Sequence, residues 1–315
     1  QACNPPDTYW LLGRLWRTRG VRFVFDQHDL NPELFLSRFG EPRGMVAQAQ
    51  YRMLEWLERM TYRTADHVIS TNESYRTVAL TRGERAEDEV TVVRSGPDTE
   101  RMRPVYPPAR IREGCDHLLA YLGIMGPQDG VDTIVDVMDE LVHRRGRRDV
   151  RVVLMGFGDC LDDLRQQATR LGLDDHVVFT GRVGPDQIAD HLSAADVGLC
   201  PDIKSPLNDV STMNKTMEYM AYCVPSVSFD LVETRVSAGD TALFVPSVAD
   251  YRALSLPYVG PVRVLPVLPV WKLNSGSHCV PASDYHPHKL EHGERREGHR
   301  DRVLLPDRLA DHWNC

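Results

Sequence analysis

The stretch "VRVVLMGFGDCLDDLRQQATRLGLDDHVVFTGRV" (residues 150–183) contains an apolar strand, a glycine turn, a helix and a second apolar strand. Each strand run is a short, mainly apolar stretch, and the segment between them has helical length and polarity. A strand, crossover helix and strand of this kind builds a parallel pair. The unit repeats on both sides. Upstream, "DHLLAYLGIMGPQDG" (residues 116–130) is a strand with a glycine-rich turn, and "VDTIVDVMDELVHRRG" (residues 131–146) is a helix. Downstream, "DVGLCPD" (residues 196–202) and "ALFVPS" (residues 242–247) are further short strands. Nearer the start, "VRFVFDQHD" (residues 21–29), "DHVISTN" (residues 66–72) and "EVTVVRSGPD" (residues 89–98) read as strands separated by helices. The sequence therefore predicts an α/β protein with parallel sheets covered on both faces.

Pro and charged residues at 104–114 read as a linker dividing two such units. The expected division is 1–104, 105–250 and an irregular tail, 251–315. In that tail a Pro every few residues stops helix and central strand alike. Its histidine-rich tract has no regular spacing, so it is expected to be irregular chain rather than a metal site. In parallel sheets ligands collect at the carboxyl ends of strands. The loops after Phe25, Gly123, Met155, Leu199 and Phe229 are thus the places for chemistry. The long helix at 46–65 places Met53, Trp56, Leu57 and Met60 at helical spacing, which predicts a core-facing stripe.

Composition narrows the function. Hydrophobic residues make up 42% and charged residues 26%, with a net charge of −8. That balance disfavours nonspecific nucleic-acid binding, which needs clustered cations. The basic run "HRRGRR" (residues 143–148) reads as a solvated helix end, or as a weak attractor of acidic phospholipid. Seven scattered cysteines without a CxxC pair fit reduced thiols better than a disulfide framework or a zinc site. No apolar run approaches the roughly 20 residues of a bilayer span. The start does not resemble a signal peptide and has no initiator Met, so the chain is expected to begin within a longer one. A cytoplasmic protein, in contact at most with the inner face of a membrane, is the expectation.

The turns after the strands at residues 116–124 and 150–157 place Gly126 and Gly158 before helices, where backbone amides can approach a phosphate. They lack the full dinucleotide fingerprint, and no Walker-type Gly-Lys-Ser/Thr exists, so NAD binding is disfavoured. A sharper feature is "PLNDVSTMNKTMEYMAYCVPSVSFD" (residues 206–230). Ser211 or Thr212 is placed to cap the helix that follows. Asn214 and Lys215 lie in its first turn, with Glu218 one turn on. A helix amino end with a lysine is an anion site, and a carboxylate a turn further in can accept from a ribose diol. A capped helix with a surface Lys–Glu pair would show the same pattern.

From residue 4 to about 248 the chain resembles the family 4 glycosyltransferases, retaining enzymes of the GT-B architecture. The resemblance lies in an ordered set of segments. "ADHVISTNESYR", "VTVVRSGPDTERMRP" and "YLGIMGPQDGVDTIVDVMDEL" are similar to successive family segments, followed by "VVLMGFGD" and "MEYMAYCVPSVSFDLVETRVSAGDTALFVP". The bacterial surface-polysaccharide type is the nearest by "DQHDLNPELF", "GPQDG" and "PLNDVSTMNK". The resemblance implies two Rossmann-like parallel-sheet domains facing a cleft, the first incomplete. It also implies a UDP- or GDP-sugar donor on the second domain and a glycan or lipid-linked acceptor on the first, with no metal or other cofactor required.

Carried over residue by residue, Glu218 resembles the ribose-binding glutamate and Glu233 the acidic residue after the next strand. The family's second glutamate would fall at Val210, eight positions before Glu218. Neighbouring Asn208 or Asp209 is left to contact the transferred sugar. The family's phosphate-binding Arg and Lys would fall at Ile124 and Asp129, which shifts that role to Lys215. Cys223 stands where the family has Gly, implying a less tight turn. His28 and Asp29 close a strand at its carboxyl end and are implied to lie near sugar and acceptor. Two other readings stay open: a non-catalytic sugar-nucleotide binder or inactive fragment, and a nucleotide-sugar epimerase.

Overall fold

In the computed structural model, residues 1–254 are described. They build two parallel sheets in sequence. The first holds β1 (Ala2–Cys3), β2 (Val24–Gln27), β3 (His67–Ser70) and β4 (Val90–Val92), in that spatial order. Four helices connect them: α1 (Trp10–Arg17), α2 (Asn31–Phe39), α3 (Gly44–Thr64) and α4 (Glu73–Thr81). Phe23, Phe25, Tyr62, Val68, Ala79 and Val90 form the core. Strand β2 also buries a polar residue, Gln27. Its amide donates to the Tyr62 hydroxyl (2.7 Å) and accepts from Ser70 (3.0 Å), so the burial leaves no unmet polar group there.

The α3 stripe corrects the sequence reading. Met53 and Trp56 are 54% and 50% exposed, and the buried positions are Glu58, Thr61, Tyr62 and Thr64. The helix is rotated toward its polar partners. Tyr62 reaches Gln27, and Glu58 pairs with Arg82, which also binds Glu33. Trp56 rests edge-on against Trp10 of α1, with ring centroids 5.6 Å apart.

The second sheet holds β5 (His117–Ile124), β6 (Val150–Phe157), β7 (Val177–Gly181), β8 (Val197–Cys200), β9 (Ser226–Phe229) and β10 (Ala242–Val245). Their spatial order is β10-β9-β8-β5-β6-β7. The intervening helices are α5 (Asp132–Asp139), α6 (Leu161–Arg170), α7 (Pro185–Ala194), α8 (Pro206–Val210), α9 (Asn214–Ala221), α10 (Val232–Ala238) and α11 (Val248–Leu254). Apolar side chains fill both faces: Leu119, Tyr121, Ile134, Leu154 and Val227 on one, Leu118, Ala120, Val153 and Tyr219 on the other. The chain winds outward from β5 through β6 and β7, then returns to β5's other side with β8. A doubly wound sheet opens its crevice at such a reversal, here between the carboxyl ends of β5 and β8.

Residues between the sheets lie against the second one. Met102 and Ile111 pack on its core, and the Val105 amide donates to Ser193 Oγ (3.0 Å). At the other end, α11 extends helix into the first residues of the stretch expected to be irregular. Tyr251 is fully buried and stacks on Phe229 at 4.8 Å. The histidine-rich tract and the rest of the expected tail lie outside the described residues. Among the described residues no helix is long and apolar enough to cross a membrane.

Candidate functional site

Helix α9 brings its amino end to the β5/β8 crevice. Neither Ser211 nor Thr212 caps it, contrary to the sequence expectation; Met213 holds the cap position without a side-chain bond. Both hydroxyls are used elsewhere. Ser211 donates to the Leu207 carbonyl (2.7 Å), and Thr212 accepts from Asn72 (2.9 Å). The segment before α9 is itself helical, as α8, with Ser205 Oγ accepting from the Asn208 amide at 3.1 Å.

Lys215 is 9% exposed, and its Nζ lies 2.7 Å from Asp202 Oδ1, just beyond β8. The ammonium also stands 5.2 Å from the centroid of the Tyr121 ring on β5. Burial alone would push its pKa down. The Asp202 carboxylate reverses that, so the lysine stays charged with a pKa above its ordinary value. Glu218 sits one turn along, half-buried, without a hydrogen-bond partner for its carboxylate among the described residues. Burial raises its pKa, and Lys215 opposes the rise. A charged lysine and an unengaged carboxylate thus share one helix face at the crevice.

The glycine turns are more occupied than their sequence suggests. The Gly126 amide donates to the Asp129 carboxylate at 2.8 Å, so the protein's own acid sits where an anion would approach. Gly158 lies against the main chain of Met125; a Cβ there would be 2.5 Å from the Met125 carbonyl oxygen. Asn208 is buried, and its amide donates to the Gln128 (3.0 Å) and Ile203 (2.8 Å) carbonyls, tying α8 to the turn after β5. Asn214 is exposed.

Two predicted residues face elsewhere. Asp209 accepts from the Val232 amide (3.0 Å) at the start of α10 and pairs with Lys204 (3.2 Å). Glu233 is 1% exposed and reaches the first domain, accepting from Ser74 Oγ (2.6 Å) and Arg94 (3.1 Å). Val210, where the resemblance calls for a glutamate, joins Leu30, Leu34, Tyr75, Val78 and Leu207 in an apolar contact between the domains. Cys223 does not loosen its turn: its φ of 58° is the left-handed conformation a glycine would supply.

On the first domain, His28 Nε2 lies 3.1 Å from Asp26 Oδ1. Burial raises the Asp29 pKa, with His28 opposing. Both residues precede α2, which packs against α8 and the 127–129 turn. Asn4, unremarked in the sequence, braces their loop: its Oδ1 accepts from the His28 (2.8 Å) and Asp29 (3.1 Å) amides, and its Nδ2 donates to the Asp29 carbonyl (2.7 Å). Asp202, Asn72 and Arg94 were also missed. Only Asn72 left a signal, as a cap residue before "ESYR". The basic run at 143–148 is largely paired within its own helix end, Arg144 and Arg145 with Glu140 and Arg147 with Asp149. No group of three or more His, Cys, Asp or Glu able to hold a metal occurs among the described residues.

Residues 116–254 match the family model described as glycosyl transferases group 1. Over 113 residues the chain is 35% identical to a GDP-mannose-dependent alpha-(1-6)-phosphatidylinositol monomannoside mannosyltransferase of Mycobacterium tuberculosis, covering 34% of this chain and 28% of that protein. It is 28% identical over 264 residues to a D-inositol 3-phosphate glycosyltransferase of Nocardia farcinica, covering 75% and 54%. The chain thus spans about half or less of these relatives. Among solved structures, the Anabaena protein HepE in complex with UDP superposes with a TM-score of 0.59 at 16% identity, over 78% of this chain and 64% of that one. A sucrose-phosphate synthase from Thermosynechococcus elongatus gives 0.58 at 21% identity, over 79% and 63%. These likenesses establish the fold as the two-domain GT-B arrangement of parallel sheets.

Proposed function

We propose that this chain acts as a retaining glycosyltransferase that moves a hexose or N-acetylhexosamine from a UDP- or GDP-sugar to a glycan or lipid-linked acceptor. The observation that carries the reading is the pair on α9: a buried, charged Lys215 and a half-buried, unengaged Glu218 at the β5/β8 crevice. Glu218 accepts from the ribose diol, and Lys215 with the α9 amides faces the phosphates. The related proteins support a nucleotide-sugar donor, since one uses GDP-mannose and a structural neighbour was solved with UDP. In this reading the acceptor lies on the His28–Asp29 side. Stabilising the leaving phosphate is the largest catalytic service such a site offers, and Lys215 supplies its positive charge without a resident metal.

Glu218→Gln is expected to weaken UDP or GDP binding by about 1–3 kcal/mol, the scale of a hydrogen bond to a charged group. The pH dependence follows from the raised Glu218 pKa. The diol donates to the ionised form, so affinity holds above that pKa and falls as pH drops through it. The decline begins at a higher pH than it would for an unperturbed glutamate, and the glutamine variant removes it. Calorimetry from pH 4 to 8 reads both effects; a wild-type affinity flat across that range would sink the ribose role.

Val210 favours a second reading, a sugar-nucleotide binder without transfer, because the position of the expected catalytic-side glutamate is spent on domain packing. Binding of UDP or GDP with no turnover on any glycan acceptor selects the binder. Turnover selects the transferase, and absence of binding removes both.

A further inference from the structure

Asn72 is fully buried and has each polar atom of its side chain engaged. Its Oδ1 accepts from the Tyr75 amide (2.8 Å), capping α4 in the first domain. Its Nδ2 donates to the Val210 carbonyl (2.9 Å) and to Thr212 Oγ1 (2.9 Å), both in the second domain. The Val210 carbonyl closes α8, and Thr212 lies two residues before α9 begins. Between them, Ser211 Oγ is 3.3 Å from the Tyr75 hydroxyl. Residues 210, 211 and 212 are therefore each held from one helix of the opposite domain. The apolar cluster of Leu30, Tyr75 and Leu207 lies beside them, with Val210 packed against it.

We infer that Asn72 is a positioning residue: from the first domain it fixes the main chain entering α9, and so sets where Lys215 and Glu218 stand in the crevice. This rests on the donor-site reading above. A buried amide with two donors on one rigid fork defines both distance and direction, which apolar packing alone does not. The helix has no side-chain cap of its own. Its amino end is thus located by the loop before it, and the loop by Asn72. Separating the domains breaks both bonds and frees the loop, so the donor residues are in register only when the domains are together.

The test uses Asn72→Ser and Asn72→Asp. Serine and aspartate cap helices about as well as asparagine, so α4 is retained in both. Serine is too short to reach residue 210, and aspartate sets an acceptor against the Val210 carbonyl. Hydrogen exchange of the whole chain, without ligand, is expected to be at least about tenfold faster at amides 211–216 and unchanged at 75–81. UDP and GDP titrations are expected to show about tenfold weaker binding, the scale of losing one to two net hydrogen bonds. Unchanged exchange at 211–216 overturns the inference. So does faster exchange there with nucleotide affinity within about twofold of wild type, since the helix would then need no positioning. Wild-type chain that binds neither nucleotide overturns the donor-site reading itself, and the inference with it.

Discussion

Replacing Lys215 with methionine is expected to cost the fold about 3–5 kcal/mol, the loss that follows when one member of a buried ion pair is removed. Asp202 is 1% exposed, and its Oδ2 already has no hydrogen-bond partner. Its Oδ1 is satisfied by Lys215. Without the ammonium, both oxygens of a buried carboxylate are left unmet. Methionine keeps the length and apolar stem, so the packing against Tyr121 and the β8 end persists, and the penalty is mainly electrostatic. Urea unfolding of wild type and variant measures it, and a loss under about 1 kcal/mol would show that Asp202 is solvated in solution. A second substitution separates stability from binding. Asp202→Leu in the Lys215→Met background removes the orphaned charge and is expected to restore most of the stability, as apolar replacements of whole buried pairs do. Nucleotide binding is expected to stay lost, because the only buried cation described at the crevice is gone. If the double variant regains both, Lys215 serves the fold alone.

That pair illustrates what the sequence does and does not disclose. The alternation of apolar strands and helices was readable because β-strand and helix periods are local, and every strand named from the sequence is present with parallel pairing. Lys215 and Glu218 were readable because three residues apart on a helix is a fixed geometry. Asp202 was not, since a lone acid after an apolar strand matches many solvated turns. Nor was the exposure of Met53 and Trp56: their spacing is helical, but which face is buried is chosen by Arg82 and Gln27, distant in sequence. The absent cap on α9 has the same origin. Thr212 carries a capping side chain, yet its hydroxyl is taken by an asparagine 140 residues earlier. Val210 is the most instructive departure. From the sequence it reads as a lost glutamate. In the structure it is a contact between domains, which accounts for an apolar residue there without reference to chemistry.

Gly156→Ala is the other substitution expected to be severe, at about 3–4 kcal/mol, above the usual cost of overpacking because the obstacle is main chain. In the parallel register of β5 and β6, Gly156 lies opposite Gly123, and a Cβ on Gly156 would stand 1.8 Å from the Gly123 carbonyl oxygen. No rotamer relieves a clash between a Cβ and a backbone oxygen; the two strands must part at their carboxyl ends. They are bonded just beyond that point, where the Met125 amide donates to the Phe157 carbonyl at 2.9 Å. Parting them also moves Gly123, whose own Cβ position lies 3.3 Å from Lys215 Cε. Stability and nucleotide affinity should therefore fall together. Gly146→Ala is the control: its φ is 68°, but nothing lies within 4 Å of the added Cβ, so it should cost only the left-handed strain of about 1 kcal/mol. Urea unfolding and nucleotide titration of both variants separate the cases. Equal losses in the two would mean that backbone conformation, rather than the close approach of β5 and β6, is why glycine stands at the mouth of the crevice.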